Sequence, residues 1–65
     1  MSLPNAPIER IIRKAGAERV SEEAVDQLRF ALEDLGEEVA ADAVNMASHA
    51  GRNTVKEEDV EIATQ

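Results

Sequence analysis

The N-terminal part of the chain carries apolar side chains at helical spacing. Four of them occupy positions i, i+3, i+4 and i+7 of one helical face: Ile8, Ile11, Ile12 and Ala15. The spacing predicts a short helix over residues 6–15. Asn5 precedes it as the expected N-cap, and Gly16 follows as a residue suited to a left-handed C-terminal position.

A much longer helical pattern follows, and it contains no proline. Apolar residues recur every three or four positions over 22–50, between Ser21 as the expected cap and Gly51 as the expected stop. Such a helix is about 43 Å long at about 1.5 Å per residue. A compact globule of this size has a radius of gyration of only about 11 Å. The chain is therefore too short to wrap a core around this helix, and the pattern predicts a second chain packed along it.

The last apolar positions belong to a third, short helix over residues 57–64, to which Val60, Ile62 and Ala63 contribute. Its first turn is acidic, which favours a helix start because of the helix dipole. The prediction is one all-α domain over residues 1–65, with a short helix, a loop, a long central helix, a loop and a short helix.

The charge of the chain is strongly negative, but it is unevenly placed. Fourteen acidic residues outnumber seven lysines and arginines, for a net charge of −7. Residues 20–50 hold eight acids and one cation, Arg29, whereas the other six cations flank this segment on both sides. A binding face is a local property, so the total charge does not exclude a polyanionic partner.

Two loop motifs, AGAERVS at 15–21 and HAGRNTVKEEDV at 49–60, share a glycine, then an arginine, then a hydroxyl residue near a valine. Together with LPNAPIERIIRKAG at 3–16, they make the chain resemble an archaeal histone over essentially its whole length. The resemblance implies the histone fold in an intertwined antiparallel homodimer, extended to tetramers or longer assemblies. It also implies a histone that binds double-stranded DNA without sequence preference, bends it, and compacts the chromosome in the cytoplasm.

The resemblance also assigns residues to the DNA contact. Arg10 and Arg19 match the arginines that approach the minor groove. Further residues match the family's contacts to the DNA backbone: Arg13, Lys14, Thr54 and Lys56. In an antiparallel dimer the first loop of one copy lies beside the second loop of the other, so these side chains share one surface. The alternative is a solvated, salt-bridged surface, because Glu9 and Glu18 are adjacent.

Three further residues have roles implied by the same resemblance. Arg52 pairs with Asp59 in a salt bridge that fixes the second loop, which we favour over a direct DNA contact for Arg52. His49 lies with Met46 where two dimers meet, and hydrogen-bonds Asp59 of the neighbouring dimer. The alternative for His49, the single histidine, is a side chain with an ordinary structural role.

The composition favours neither catalysis nor a cofactor. The chain has no cysteine and one histidine, so a zinc site is not expected. Paired acids such as Glu37-Glu38 lie side by side on a helix face, whereas glycoside hydrolysis needs opposed carboxylates across a cleft. We expect no enzyme, metal site, cofactor or small-molecule substrate. No apolar run reaches the roughly 18 residues of a membrane span, so no membrane partner is expected either.

A second function stays open because the chain is unusually acidic for the family it resembles. Many relatives carry Lys or Arg where this chain has Glu37, Asn45, Ser48 and Asn53. Either the acidity is an adaptation to a salt-rich cytoplasm, or the chain is a variant. In the second case it acts as an interaction module that forms heterodimers with other histones and weakens or caps DNA wrapping.

Overall fold

The computed structural model describes residues 2–65, so Met1 of the predicted domain lies outside the described residues. Three helices follow one another in chain order: α1 at Asn5–Lys14, α2 at Glu22–His49 and α3 at Glu57–Ala63. Within the described range there is no β-strand. The all-α prediction is confirmed. The residues form two compact units, Met1–Asp34 and Leu35–Gln65, and α2 contributes to both.

The start of α1 differs from the prediction, since Asn5 is not its N-cap. Pro4 precedes the helix with φ −67° and ψ 148°, and Asn5 is the first helical residue. The Asn5 side chain is used elsewhere, because its Oδ1 accepts a hydrogen bond of 2.6 Å from Arg29 Nη1. Proline at the cap already has a suitable φ, so the helix begins without a capping side chain.

The ends of α1 and α2 are built alike around glycine. Gly16 has φ 121° and Gly51 has φ 73°, a region that favours glycine over residues with a Cβ. At each end two hydrogen bonds close the last turn of the helix. For α2, the Gly51 N–H donates to the Ser48 carbonyl and the Arg52 N–H donates to the Ala47 carbonyl, both at 2.9 Å. At the other end of α2, Ser21 Oγ accepts from the Ala24 N–H at 3.1 Å, as predicted for a cap.

Neither unit buries much apolar surface. Ile8 and Val25 are the buried apolar residues described in the first unit, and Ala43 and Ala47 are those in the second. Several larger apolar side chains stay about half exposed: Leu35 at 57%, Ile62 at 56%, Val44 at 52%, Phe30 at 49% and Ile11 at 49%. Burial rather than exposure is the common state of Leu, Ile and Phe. The chain therefore presents apolar surface that no other part of it covers.

Candidate nucleic-acid interface

The first unit exposes four cations at the end of α1 and in the loop that follows it: Arg10, Arg13, Lys14 and Arg19. Arg13 is occupied within the chain. Its Nη1 donates to the Glu18 carbonyl at 3.0 Å, and its Nη2 lies 3.3 Å from Glu9 Oε1. The other three form no ion pair with the described residues of this unit. Arg10, Lys14 and Arg19 are therefore the side chains free to meet an external anion.

A network at the beginning of α1 was not foreseen from the sequence. Arg29 Nη1 binds both Asn5 Oδ1 at 2.6 Å and Asp26 Oδ1 at 3.2 Å, while the backbone N–H of Leu3 donates to Glu33 Oε2 at 2.6 Å. These contacts hold Leu3, before α1, and Asn5, its first residue, against α2. The available signal was that Arg29 lies four residues after Val25 and three before Leu32, on the face that turns inward.

In the second unit, Arg52 and Asp59 form a bidentate ion pair. Arg52 Nη1 donates to Asp59 Oδ2 and Nη2 donates to Asp59 Oδ1, both at 2.9 Å. Arg52 Nη1 also donates to the Thr54 carbonyl at 2.9 Å. Asp59 Oδ2 in turn accepts from the Lys56 N–H at 2.8 Å, which satisfies a free donor at the start of α3. The pair thus fixes the loop from Arg52 to Lys56 against α3.

The same contacts set the protonation of the pair. The hydrogen bonds from Arg52 and from the Lys56 backbone lower the pKa of Asp59 from 3.8 to about 2. The hydrogen bond to Asp59 raises the pKa of Arg52. Both groups therefore stay charged at neutral pH, and Arg52 is engaged internally rather than free. Beside them, Thr54 and Lys56 are exposed on the fixed loop.

The lowered pKa of Asp59 gives a pH-dependent contribution to stability. An acid whose pKa is lower in the folded state stabilises the fold above its unfolded value and loses this contribution as the pH falls through its folded value. We therefore expect the thermal midpoint to fall as the pH drops from about 5 to about 2. Asp59→Asn should lower the midpoint at pH 7 and weaken this acid dependence, measured by circular dichroism. An identical acid dependence in both proteins would contradict the role of the pair.

The residues assigned to contacts between dimers all lie in the second unit. His49 is the last residue of α2 and is exposed, whereas Met46, one turn earlier, is half-buried. Asp59 is only 3% exposed. Its Oδ1 accepts one hydrogen bond, from Arg52, and a carboxylate oxygen can accept a second.

Other kinds of site are not seen in the described chain. Residues 2–65 hold no group of three or more His, Asp or Glu side chains placed to bind a metal ion. No helix in this range is long and apolar enough to span a membrane. The exposed groups that can bind an external anion are cations and hydroxyls on or beside two loops. Each loop is held by an arginine that donates to a loop carbonyl.

Comparison with known proteins decides the family. A sequence model for the family described as "Histone-like transcription factor (CBF/NF-Y) and archaeal histone" matches residues 1–64. The chain is 57% identical over 63 residues to one of the subunits of archaeal histone HAN1 from Thermococcus zilligii, and this match covers 97% of this chain and 94% of that one. The chain belongs to the archaeal histones. A second relative, "Probable archaeal histone 3" of Methanocaldococcus jannaschii, is 52% identical over 61 residues, covering 94% of this chain and 91% of its own.

Membership of this family confirms the resemblance inferred from the two loop motifs. Archaeal histones are structural, DNA-packaging proteins, so this histone is not an enzyme. The DNA-packaging role belongs to the family as a whole.

Proposed function

We propose that this archaeal histone binds double-stranded DNA without sequence preference as a dimer of two chains, bends it, and compacts the chromosome with which it is associated in the cytoplasm. Arg10 and Arg19 approach the minor groove. The backbone contacts come from Arg13, Lys14, Thr54 and Lys56. The support is the three exposed, unpaired cations of the first unit, Arg10, Lys14 and Arg19, and the fixed loop in the second. Arg13 is also exposed, but its charge is partly compensated by Glu9. Arginine, lysine and hydroxyl side chains are the common donors to phosphate oxygens.

The main support for a dimer is the exposed apolar surface of the single chain. Leu35, Val44 and Ile62 are each more than half exposed, while the buried apolar residues described are four, two of them alanine. Burying a leucine or isoleucine side chain is worth about 1.5–3 kcal/mol, so two chains gain substantially by covering one another. The proposed dimer crosses antiparallel along α2, which brings the first loop of one copy beside the second loop of the other.

The mechanism requires positioning and deformation rather than recognition of bases. Cations on neighbouring loops hold the phosphate backbone at successive points, and an arginine can enter a narrowed minor groove without reading sequence. The energy of bending is then repaid by the additional contacts that the bend permits.

Assembly beyond the dimer would use His49, Met46 and Asp59. The imidazole of His49 is exposed, and Asp59 Oδ1 keeps capacity for one more donor. His49→Ala should therefore remove tetramers and longer species while leaving dimers, as measured by sedimentation. Persistence of tetramers in this variant would exclude the histidine contact.

A gel-shift titration tests the DNA-binding proposal. Two duplexes of equal length and unrelated sequence should bind with similar affinity, and the logarithm of the affinity should fall linearly with that of the salt concentration, by about 0.9 per phosphate neutralised. A strong preference for one duplex would contradict sequence-independent binding. If no shift appeared at low salt, the proposal that this chain alone binds DNA would be contradicted.

The acidity of α2 favours a second candidate function. Residues 20–50 carry eight acids against Arg29 alone, and Glu37, Ser48 and Asn53 add no cation to the surface. Such a chain would act as an interaction module that pairs with other histones and weakens or caps DNA wrapping. The Thermococcus relative is itself named as one subunit of a histone. Retention of Arg10, Arg19, Thr54 and Lys56 favours the first candidate, and a missing gel shift would favour the second.

A further inference from the structure

The first helix of the chain is held in place by little apolar burial. Ile8 is the buried residue of α1, at 3% exposed, whereas Ile12 is half-buried and Ile11 is exposed. A helix of ten residues is about 15 Å long, at about 1.5 Å per residue. One fully buried side chain does not fix the direction of such a helix. The direction of α1 therefore depends on the polar contacts at its two ends.

At the C-terminal end, the contacts of α1 are made with its own loop. Arg13 Nη1 donates to the Glu18 carbonyl at 3.0 Å, and the Gly16 N–H donates to the Arg13 carbonyl at 3.0 Å. Both acceptors lie in α1 or in the loop at 15–21, so these bonds fix the loop against the helix. They do not join α1 to α2.

At the N-terminal end, α1 is joined to α2 through its first residue. Arg29 Nη1 on α2 donates to Asn5 Oδ1 at 2.6 Å. Arg29 is itself held, because Nη1 also donates to Asp26 Oδ1 at 3.2 Å and the guanidinium carbon lies 5.0 Å from the centre of the Phe30 ring. With its side chain only 15% exposed, Arg29 is a fixed donor rather than a cation available to DNA.

Arg10 is the cation whose position depends most on the direction of α1. It follows the buried Ile8 by two residues and lies about 160° around the helix from it, at about 100° per residue. Arg10 is thus on the face opposite to the buried one, and it forms no ion pair with the described residues of the first unit. A tilt or rotation of α1 displaces Arg10, whereas Arg19 lies in the loop beyond the helix.

We propose that Asn5 and Arg29 are positioning residues for DNA binding. Their hydrogen bond fixes the start of α1 against α2 and thereby directs Arg10 toward the DNA, although neither side chain contacts DNA itself. The inference rests on the proposed DNA contact of Arg10 and deepens it, since it names the residues that set the direction of that contact.

A double-mutant cycle, measured by gel shift at about 50 mM salt, tests this role. Asn5→Ala removes the acceptor without changing the net charge, and Asn5 is exposed, so helix content should be kept. Affinity should fall about threefold both in the wild type and in Arg19→Ala, but no more than about 1.5-fold in Arg10→Ala. The loss is partial because the Leu3 N–H still donates to Glu33.

Gln27→Ala is the matched control, because it removes an exposed amide from the same unit at a position about 160° around α2 from Arg29. It should change affinity by less than about 1.5-fold in every background. A general defect in folding or dimerisation would weaken all backgrounds alike. Equal losses from Asn5→Ala in the Arg10→Ala and Arg19→Ala backgrounds would therefore overturn the proposal.

Hydrogen exchange of the free protein tests the same contact without DNA. The amides of residues 9–14 should exchange about tenfold faster in Asn5→Ala than in the wild type, while Gln27→Ala leaves them unchanged. Unaltered exchange in Asn5→Ala would overturn the positioning role even if DNA binding is normal. Failure of the proposed function shows differently, as the absence of a gel shift by the wild type.

Discussion

Leu35→Asp is expected to abolish the folded dimer at micromolar protein concentration. Among residues 2–65, Leu35 is the most exposed large apolar side chain, at 57%, and it lies with Val39 and Ala63 on the apolar surface that a second chain would cover. Covering a leucine is worth about 1.5–3 kcal/mol and occurs twice in a symmetric dimer. The variant should therefore lose on the order of 3 kcal/mol, which weakens association about a hundredfold. Since a chain with so small a core gains its stability by association, helix content should fall as well.

Ala41→Asp is the matched control for this prediction. Ala41 is exposed on the same helix, about 120° around from Leu35, and the substitution introduces the same charge. Circular dichroism and sedimentation should show a folded dimer for this variant. The proposed dimer is contradicted if Leu35→Asp stays helical and dimeric, or if both variants lose the dimer equally.

The double substitution Arg10→Ala/Arg19→Ala should strongly weaken DNA binding. Both side chains are exposed and neither is paired within the described first unit, so their charge is available to phosphates. Four contacts are lost per dimer. We expect affinity to fall roughly 10- to 100-fold at low salt, and the salt slope to decrease by up to about 3.6. The loss should be the same for duplexes of different sequence, because phosphate contacts carry no base information.

The control for the arginine prediction is a third arginine on the same helix. Arg13 is bound to the Glu18 carbonyl and lies beside the Glu9 carboxylate, so its charge is partly compensated. Arg13→Ala should weaken DNA binding less than Arg10→Ala in the same gel-shift assay. An Arg13 effect as large as that of Arg10 would show that the internal contacts do not decide which cations meet DNA.

The secondary structure followed from the sequence because local signals agreed with one another. Glycines mark the ends of α1 and α2, and Ser21 caps α2, as the residue types predict. Asn5 shows where such reasoning stops. Its side chain was expected to cap α1 but binds Arg29, which is 24 residues away in sequence, and no local pattern indicates which of two hydrogen bonds such a side chain will make.

The resemblance to archaeal histones assigns Arg10, Arg13 and Arg19 together to the DNA contact, and this assignment stays a prediction. The three-dimensional structure separates Arg13, which closes the first loop, from the two unpaired arginines. The groove that Leu35 lines with Val39 and Ala63 depends on packing between α2 and the end of α3, which the spacing of apolar residues in the sequence does not specify. Dimerisation, by contrast, is predicted from the sequence, because α2 is too long for so short a chain to build a core around it.

The central claim is that two chains must dimerise before a continuous cationic surface forms. Sedimentation equilibrium of the wild type at micromolar concentration, with helix content followed on the same samples, tests it most directly. We expect a folded species of twice the 7.1 kDa chain mass, with helix content lost on dilution below the dissociation constant. A folded species of a single chain mass that keeps its helix content on dilution would contradict the claim.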